Sequence, residues 1–127
     1  SKIFNKPIRL EVTWDADLID MVRCKYVIKA YKEYKILQNV KDRSKQLIQG
    51  LEGIRNLKNL RNAGLLVAFD LDSEILRDKF VNELYKNNMI VNPTKNNTVR
   101  LRPPLSVSSK EIALAINIIS SSIFRIL

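Results

Sequence analysis

Two arginines stand two residues apart near the end of the chain, in the run TVRLRPPL at positions 98–105. Side chains two apart on a strand point to the same side, so Arg100 and Arg102 are predicted to share one face. Successive prolines cannot donate to a sheet ladder, which predicts that the strand ends at Pro103. A guanidinium fixed at a strand end is a planar fork that can hold a carboxylate through two parallel hydrogen bonds. The alternative is an exposed arginine pair with a structural role.

The elements that must position these arginines are predicted from caps and apolar spacing. Ser108 and Glu111 have the spacing of a capping box and open a final helix. Asp17 or a near neighbour caps the first helix, and Ser73 opens a helix that ends around Asn88. A second helix is predicted over residues 37–54 from its three-four apolar period.

Three short strands are predicted between these helices, at residues 65–71, 89–91 and 98–102. The run 65–71 is apolar enough to be buried on both faces. Residues 56–64 are polar and predict a connection, and residues 1–12 are predicted to be extended because Pro7 breaks any helix there. The predicted fold class is α+β, a two-layer small domain with a short, mainly antiparallel three-stranded sheet and helices packed on one face.

Length and composition indicate one domain and exclude some kinds of catalytic and metal-binding site. The chain has 127 residues and is 46% hydrophobic, which is enough for a single packed core. It has no histidine, so histidine acid–base chemistry and the commonest metal ligand are excluded, and no metal site is expected. The only cysteine, Cys24, excludes an internal disulfide. The apolar runs are too short to cross a bilayer and no signal-peptide pattern is seen, so a cytoplasmic location is expected.

The net charge of +9 raises the alternative of nucleic-acid binding. Lys25, Lys29, Lys32 and Lys35 recur at helical spacing and are predicted to line one side of the first helix. Such a stripe can attract phosphates without sequence specificity. No stacking motif of aromatic residues accompanies it, and this favours a solvated helix face over a nucleic-acid-binding module.

The whole pattern resembles the C-terminal part of class III, fold-type I aminotransferases, which use pyridoxal 5'-phosphate. Within that family the chain is most similar to the lysine 6-aminotransferases, and the similarity covers nearly its whole length. The residues that carry the resemblance are, in order, Thr13-Trp14, Leu18, Asp20 to Arg23, Gly64 to Leu71, Arg77-Asp78, Ile90-Val91, Val99 to Leu105 and Glu111-Ile112.

The resemblance implies the domain organisation and the activity. Residues 1–16 would be an extended lead-in with the cofactor-phosphate loop, and residues 17–127 the C-terminal small domain. The family holds its cofactor as a Schiff base on a lysine and pairs the pyridine nitrogen with an aspartate. Both residues would lie upstream of Ser1, in a large domain, so the chain alone is not expected to catalyse transamination. The parent enzyme would transfer an amino group from a lysine-like ω-amino acid to 2-oxoglutarate by a ping-pong mechanism.

The resemblance also assigns two site residues. Thr13 would bind the cofactor phosphate, usually across a dimer interface, and Arg100 would bind the substrate α-carboxylate. Arg102 would have only a supporting or structural role. The family prefers two glycines and an asparagine after the threonine–aromatic pair, whereas this chain has Asp15-Ala16-Asp17. Carboxylates near a phosphate dianion are electrostatically unfavourable, so phosphate binding by this loop stays open.

The expected partners follow from the same resemblance. They are amino-acid and 2-oxo-acid substrates together with the large domain or a second subunit, in a homo-oligomer without membrane contact. A non-catalytic binding or interaction module that keeps the small-domain fold remains an alternative, favoured by the Asp15-Ala16-Asp17 loop. A basic nucleic-acid-binding module is the third possibility.

Overall fold

The structure is a computed structural model that describes residues 17–94 and 96–127. The chain divides into two units, one ending at Lys35 and the other spanning Ile36–Leu127. The lead-in predicted over residues 1–16 lies outside the described residues. The domain boundary between residues 16 and 17 therefore stays a prediction.

The first unit contains helix α1, Leu18–Glu33. Asp17 caps it as predicted, because its carboxylate accepts hydrogen bonds from the backbone N–H groups of Ile19 and Asp20 at 2.8 and 3.1 Å. No residue of α1 is buried. Three of the lysines predicted to form a stripe lie on this helix, whereas Lys35 follows its end with a positive φ of 49°.

The second unit contains three helices, and their starts confirm the local cap predictions. They are α2 (Ile36–Glu52), α3 (Glu74–Lys86) and α4 (Ser109–Ile126). Ser73 caps α3 by accepting from Leu76 N–H at 3.1 Å. Ser108 and Glu111 form the reciprocal capping box at the start of α4.

Four antiparallel strands form one sheet in the order β1-β2-β4-β3. They are β1 (Lys58–Ala63), β2 (Leu66–Asp70), β3 (Asn92–Pro93) and β4 (Thr98–Leu101). The prediction of three strands was wrong, because residues 56–64 include β1 rather than only a connection. β1 is an edge strand with mostly exposed side chains and an irregular register around Asn59, so it lacks the apolar alternation that marks a strand.

The other strands differ from prediction in detail. β2 is buried on one face only, since Val67 and Phe69 are fully buried while Leu66 is 45% exposed. The helices of this unit pack on one side of the sheet, and this explains why the prediction of burial on both faces was wrong. The strand predicted at residues 89–91 lies instead at Asn92–Pro93, where it pairs with β4. β4 ends before Pro103, as predicted.

One apolar core joins the sheet to helices α2, α3 and α4. Phe69 and Phe80 meet edge to face at its centre, with ring centroids 6.1 Å apart and an interplanar angle of 67°. The core side chains around them include Leu47, Leu51, Val67, Leu84, Val99, Leu101, Ile112, Ile119 and Ile123. This arrangement confirms the predicted α+β class with helices on one face. Across residues 17–94 and 96–127, no helix is both long and apolar enough to span a membrane.

Candidate carboxylate-binding site

Arg100 lies on the sheet face opposite the helices. It pairs with Ala68 of β2 on one side and with Asn92 of β3 on the other. Its neighbours Val99 and Leu101 are buried in the core, so the pleat directs Arg100 to the open face. The sequence-based alternation is therefore confirmed for this strand.

A shallow cavity of about 300 Å³ lies beside Arg100 on this face of the sheet. Ala68 lies directly opposite Arg100 in the ladder, and Arg61 of β1 lies opposite Ala68 in the next ladder. The remaining lining comes from Asn62, Ala63, Leu66 and Val67. Since Ala68 carries only a methyl group, the row between the two arginines has room for a small ligand.

The guanidinium of Arg100 has an unmet donor. Its Nε is buried, and within the described residues no acceptor reaches it. A buried donor without a partner costs free energy comparable to its desolvation, about 1–3 kcal/mol. A carboxylate in the adjoining cavity could accept in parallel from two N–H groups of this guanidinium.

Arg61, in contrast, is neutralised by a polar cluster. Its Nη2 contacts Asp70 Oδ1 at 3.0 Å, and Asp70 also accepts from Thr98 Oγ1 at 2.5 Å and from Asn59 Nδ2 at 3.0 Å. Burial raises the pKa of Asp70, but the hydrogen bonds from Thr98, Asn59 and Arg61 together hold that pKa below its usual 3.8. The charge of Arg61, which lies across Ala68 from Arg100, is therefore compensated by the carboxylate of Asp70.

Arg61 was missed by sequence reasoning. Residues 56–64 were predicted to be a connection, so the place of Arg61 beside Ala68 follows only from the observed pairing of β1 with β2. Residues 56–64 are polar and lack apolar alternation, so their sequence does not indicate that Arg61 lies on the open face of a sheet.

Arg102 has a different position from Arg100. It is exposed and follows the end of β4. Both arginines border a second cavity of about 260 Å³ near the sheet edge, lined mainly by apolar residues of β4, α2, α4 and the loops between them. Of the two arginines, only Arg100 also borders the cavity on the open face. Arg100 and Arg102 therefore meet at the cavity near the sheet edge but not at the open-face cavity.

The described groups suit a carboxylate rather than attachment of an aldehyde cofactor. Among residues 17–94 and 96–127, no lysine lines either cavity, so neither offers an amine for a Schiff base. Thr13, the predicted phosphate ligand, lies outside the described residues. In that same part of the chain, no group of three or more His, Cys, Asp or Glu side chains could hold a metal ion.

Comparison with known proteins identifies the family that has this fold. The sequence pattern of the class-III aminotransferases matches residues 4–123. The L-lysine-epsilon aminotransferase of Mycobacterium tuberculosis strain H37Rv is 32% identical over 126 residues, which are 95% of this chain and 28% of that protein. The enzyme of the same name from Amycolatopsis lactamdurans is 30% identical over 129 residues, which cover 97% of this chain and 29% of the other.

Solved structures give the same result. The lysine aminotransferase from M. tuberculosis in its internal aldimine form superposes with a TM-score of 0.84 at 30% identity, covering 98% of this chain and 30% of that one. The ornithine aminotransferase from Toxoplasma gondii has a TM-score of 0.84 at 21% identity, covers 99% of this chain and 32% of its own, and supports the fold alone. The chain thus has the fold of the matching 30% of the lysine aminotransferase chain.

This chain belongs to the class-III aminotransferase family. It spans 28–29% of the length of the curated relatives that it matches. The predicted resemblance is confirmed, including its relation to lysine aminotransferases.

Proposed function

We propose that this chain is the substrate-carboxylate-binding part of a pyridoxal 5'-phosphate-dependent aminotransferase. The parent enzyme transfers an amino group from a lysine-like ω-amino acid to 2-oxoglutarate. Family membership and the names of the relatives support the reaction class. The observation that carries the proposal is Arg100, whose side chain borders an open cavity and whose buried Nε has no acceptor among residues 17–94 and 96–127.

In this proposal Arg100 binds and orients both substrates in turn. The carboxylate of the amino donor, and later a carboxylate of the oxo acid, accepts two parallel hydrogen bonds from its fork. Asp70 compensates the neighbouring Arg61 at 3.0 Å, so one uncompensated guanidinium dominates the cavity on the open face. Holding the carboxylate at a fixed point on a strand orients the rest of the substrate and lowers the entropic part of the barrier.

Pyridoxal phosphate, when bound, supplies the electron sink for amino transfer. We assign its Schiff-base lysine and its pyridine-pairing aspartate to a large domain of a longer chain, because the described cavities offer no lysine. Thr13 would contribute its hydroxyl to the cofactor phosphate. We also propose that the parent enzyme is a cytoplasmic homo-oligomer in which a large domain or second subunit completes the site.

Replacing Arg100 in the aminotransferase that contains this chain tests the proposal. Arg100→Lys keeps the charge but cannot reproduce the planar fork, so it should weaken binding of both lysine and 2-oxoglutarate. Loss of a charge-assisted pair of this kind typically costs about 2–5 kcal/mol in a desolvated site. Steady-state KM values for both substrates report the weakening, and the ratio of kcat/KM between wild type and variant gives it as a free energy.

Arg102→Lys is the matched control, because Arg102 is exposed and does not border the open-face cavity. Its effect on KM should be much smaller. Equal losses in both variants would indicate a shared anion site, and an unchanged KM in Arg100→Lys would contradict the proposal. Thermal stability of both variants separates a loss of binding from a loss of folding.

A further inference from the structure

A buried arginine on α3 holds the connection between β3 and β4. The side chain of Arg77 is 8% exposed, and its Nη1 donates to the backbone carbonyl of Thr94 at 2.7 Å and to that of Asn96. These two carbonyls lie on either side of Lys95, in the segment that leads from one strand to the next. One guanidinium therefore fixes two points of this connection.

Two carboxylates orient Arg77 toward that connection. Asp78 Oδ1 accepts from Nε at 2.9 Å and from Nη2 at 2.7 Å, and Glu74 Oε1 accepts from Nη2 at 2.9 Å. Both acids are exposed, at 57% and 68% of their side-chain surface. They leave Nη1 free for the two carbonyls. The two carboxylates therefore compensate the buried charge of Arg77 through Nε and Nη2, while Nη1 binds the two backbone carbonyls.

Arg100 depends on the same hairpin for its position. It follows Thr98 by two residues on β4, and its ladder partner Asn92 is the first residue of β3. Within the described residues its Nε has no acceptor, so that end of the side chain is not oriented by a protein hydrogen bond. The backbone of the hairpin sets where the fork begins. A short strand pair of two residues needs support from outside the ladder.

We propose that Arg77 is a positioning residue for Arg100, holding the β3–β4 connection so that the Arg100 fork meets the substrate carboxylate. This inference rests on the proposed function of Arg100. Arg77 touches neither cavity that Arg100 borders, so it acts through the backbone and contacts no substrate. The site would then include Arg77 of helix α3, which does not lie on the open face of the sheet.

The test uses a substrate that lacks the group held by Arg100. In the parent aminotransferase, kcat/KM is measured for lysine and for 1,5-diaminopentane, which is lysine without its carboxylate. Arg77→Lys keeps the charge but lacks the planar fork, so it cannot donate to the two carbonyls and to Asp78 and Glu74 at the same time. Misplacing a binding group by about 1 Å costs up to about 100-fold, so we expect kcat/KM for lysine to fall about 10- to 100-fold. The value for 1,5-diaminopentane should change little.

Two further variants keep the test decisive. Asp78→Ala removes the exposed acid that orients Arg77 and should lower the lysine preference in the same direction, even where Arg77→Lys fails to fold. Asp72→Ala removes another exposed acid, which pairs with Lys58 at 2.5 Å and does not contact Arg77, and should leave the preference unchanged. Parallel losses for both substrates in Arg77→Lys and Asp78→Ala would mean a general structural role and overturn the inference.

Arg100→Lys separates this inference from the proposed function. If Arg100→Lys abolishes the preference for lysine while Arg77→Lys and Asp78→Ala retain it, the positioning role is wrong and the function of Arg100 stands. If Arg100→Lys retains the preference, the proposed function fails and the positioning role fails with it. In the double variant of Arg77 and Arg100, the further loss caused by Arg77→Lys should vanish, because the positioned fork is already absent.

Discussion

The two arginines of the open sheet face differ in what compensates their charge. Arg61 is paired with Asp70 at 3.0 Å, and that carboxylate is itself held by Thr98 and Asn59. Arg100 lies across Ala68 from Arg61 and has a buried Nε without an acceptor among the described residues. An anion that enters the cavity therefore gains more from Arg100, because Arg61 would have to share its charge.

Asp70 should make the stability of the domain dependent on pH in the acid range. Hydrogen bonds from Thr98, Asn59 and Arg61 lower its folded-state pKa, against the raising effect of burial. A lowered folded-state pKa contributes stability that is fully present above the unfolded value of about 3.9 and is lost as pH falls through the folded value. We expect the urea midpoint to fall with pH below about pH 4. Asp70→Asn should flatten this part of the curve.

The comparison between wild type and Asp70→Asn is made at matched pH values from the acid limb to neutrality. At neutral pH the variant should be the less stable protein, since it loses the charged partner of Arg61. The two proteins should converge at the acid end. Parallel curves over the whole range would show that Asp70 does not carry this dependence.

Sequence reasoning reached Arg100 but not its surroundings. The alternation of 98–102 and the two prolines are local signals, and they correctly gave the face of Arg100 and the end of the strand. The partners of Arg61 lie up to 37 residues away, as with the contact between its Nη2 and Thr98 at 3.4 Å. Such contacts depend on strand order, which one sequence does not specify. The roles assigned to Arg100 and Thr13 remain predictions.

At the scale of elements, local chemistry was predictable and pairing was not. The caps at Asp17, Ser73 and Ser108 were confirmed because a cap needs only neighbours within one turn. β1 was missed because an edge strand with exposed polar side chains is stabilised by its ladder to β2 rather than by an apolar face. Gly64, with a φ of 59°, makes the turn between these two strands.

Helices α2 and α4 pack closely at Gly50, because glycine has no side chain. A Cβ placed there would lie 2.9 Å from Ile116 Cγ1 and 3.1 Å from Cγ2, and closer still to Cδ1. Real Cβ atoms are rarely found at such distances, so Ile116 would have to move. Gly53, just beyond the end of α2, has no atom within 4 Å of its added Cβ. The two glycines therefore form a matched pair.

Gly50→Ala should destabilise the domain, whereas Gly53→Ala should not. Overpacking typically costs about 1–3 kcal/mol, and the gain in helix propensity offsets about 1 kcal/mol at most. Gly53→Ala should stay within about 0.5 kcal/mol of wild type. The free energy of unfolding from urea titration measures both. Ile116→Val removes Cδ1 and should partly rescue Gly50→Ala, and equal stability of the two glycine variants would show that the helices do not pack this closely.

At the scale of the whole molecule, the described chain exposes apolar side chains on helix α1. Its apolar side chains are exposed on several sides, with Leu18 at 76%, Tyr26 at 62% and Val22 at 55%. The chain also spans 28–29% of its curated relatives. Exposed apolar surface of this kind marks an interaction site. Both observations support the proposal that a large domain or second subunit completes the protein.

The family could be predicted at this scale because its signal is spread along the sequence. The order and spacing of short stretches from Thr13 to Ile112 carried the resemblance, and the family match over residues 4–123 confirms it. The number of strands could not be predicted in the same way, since β1 contributes no apolar pattern. The amino donor and acceptor stay proposals, because the chain spans 28–29% of the relatives whose names suggest them.

The central claim, that Arg100 holds the substrate carboxylate, is tested most directly by substrate discrimination in the parent aminotransferase. The ratio of kcat/KM for lysine to that for 1,5-diaminopentane isolates the contribution of the carboxylate, since the two differ in no other group. We predict that wild type strongly prefers lysine and that Arg100→Lys lowers the ratio by about 2–5 kcal/mol in transition-state free energy, with little change for 1,5-diaminopentane. An Arg100→Lys enzyme that is folded and retains the wild-type ratio would contradict the claim.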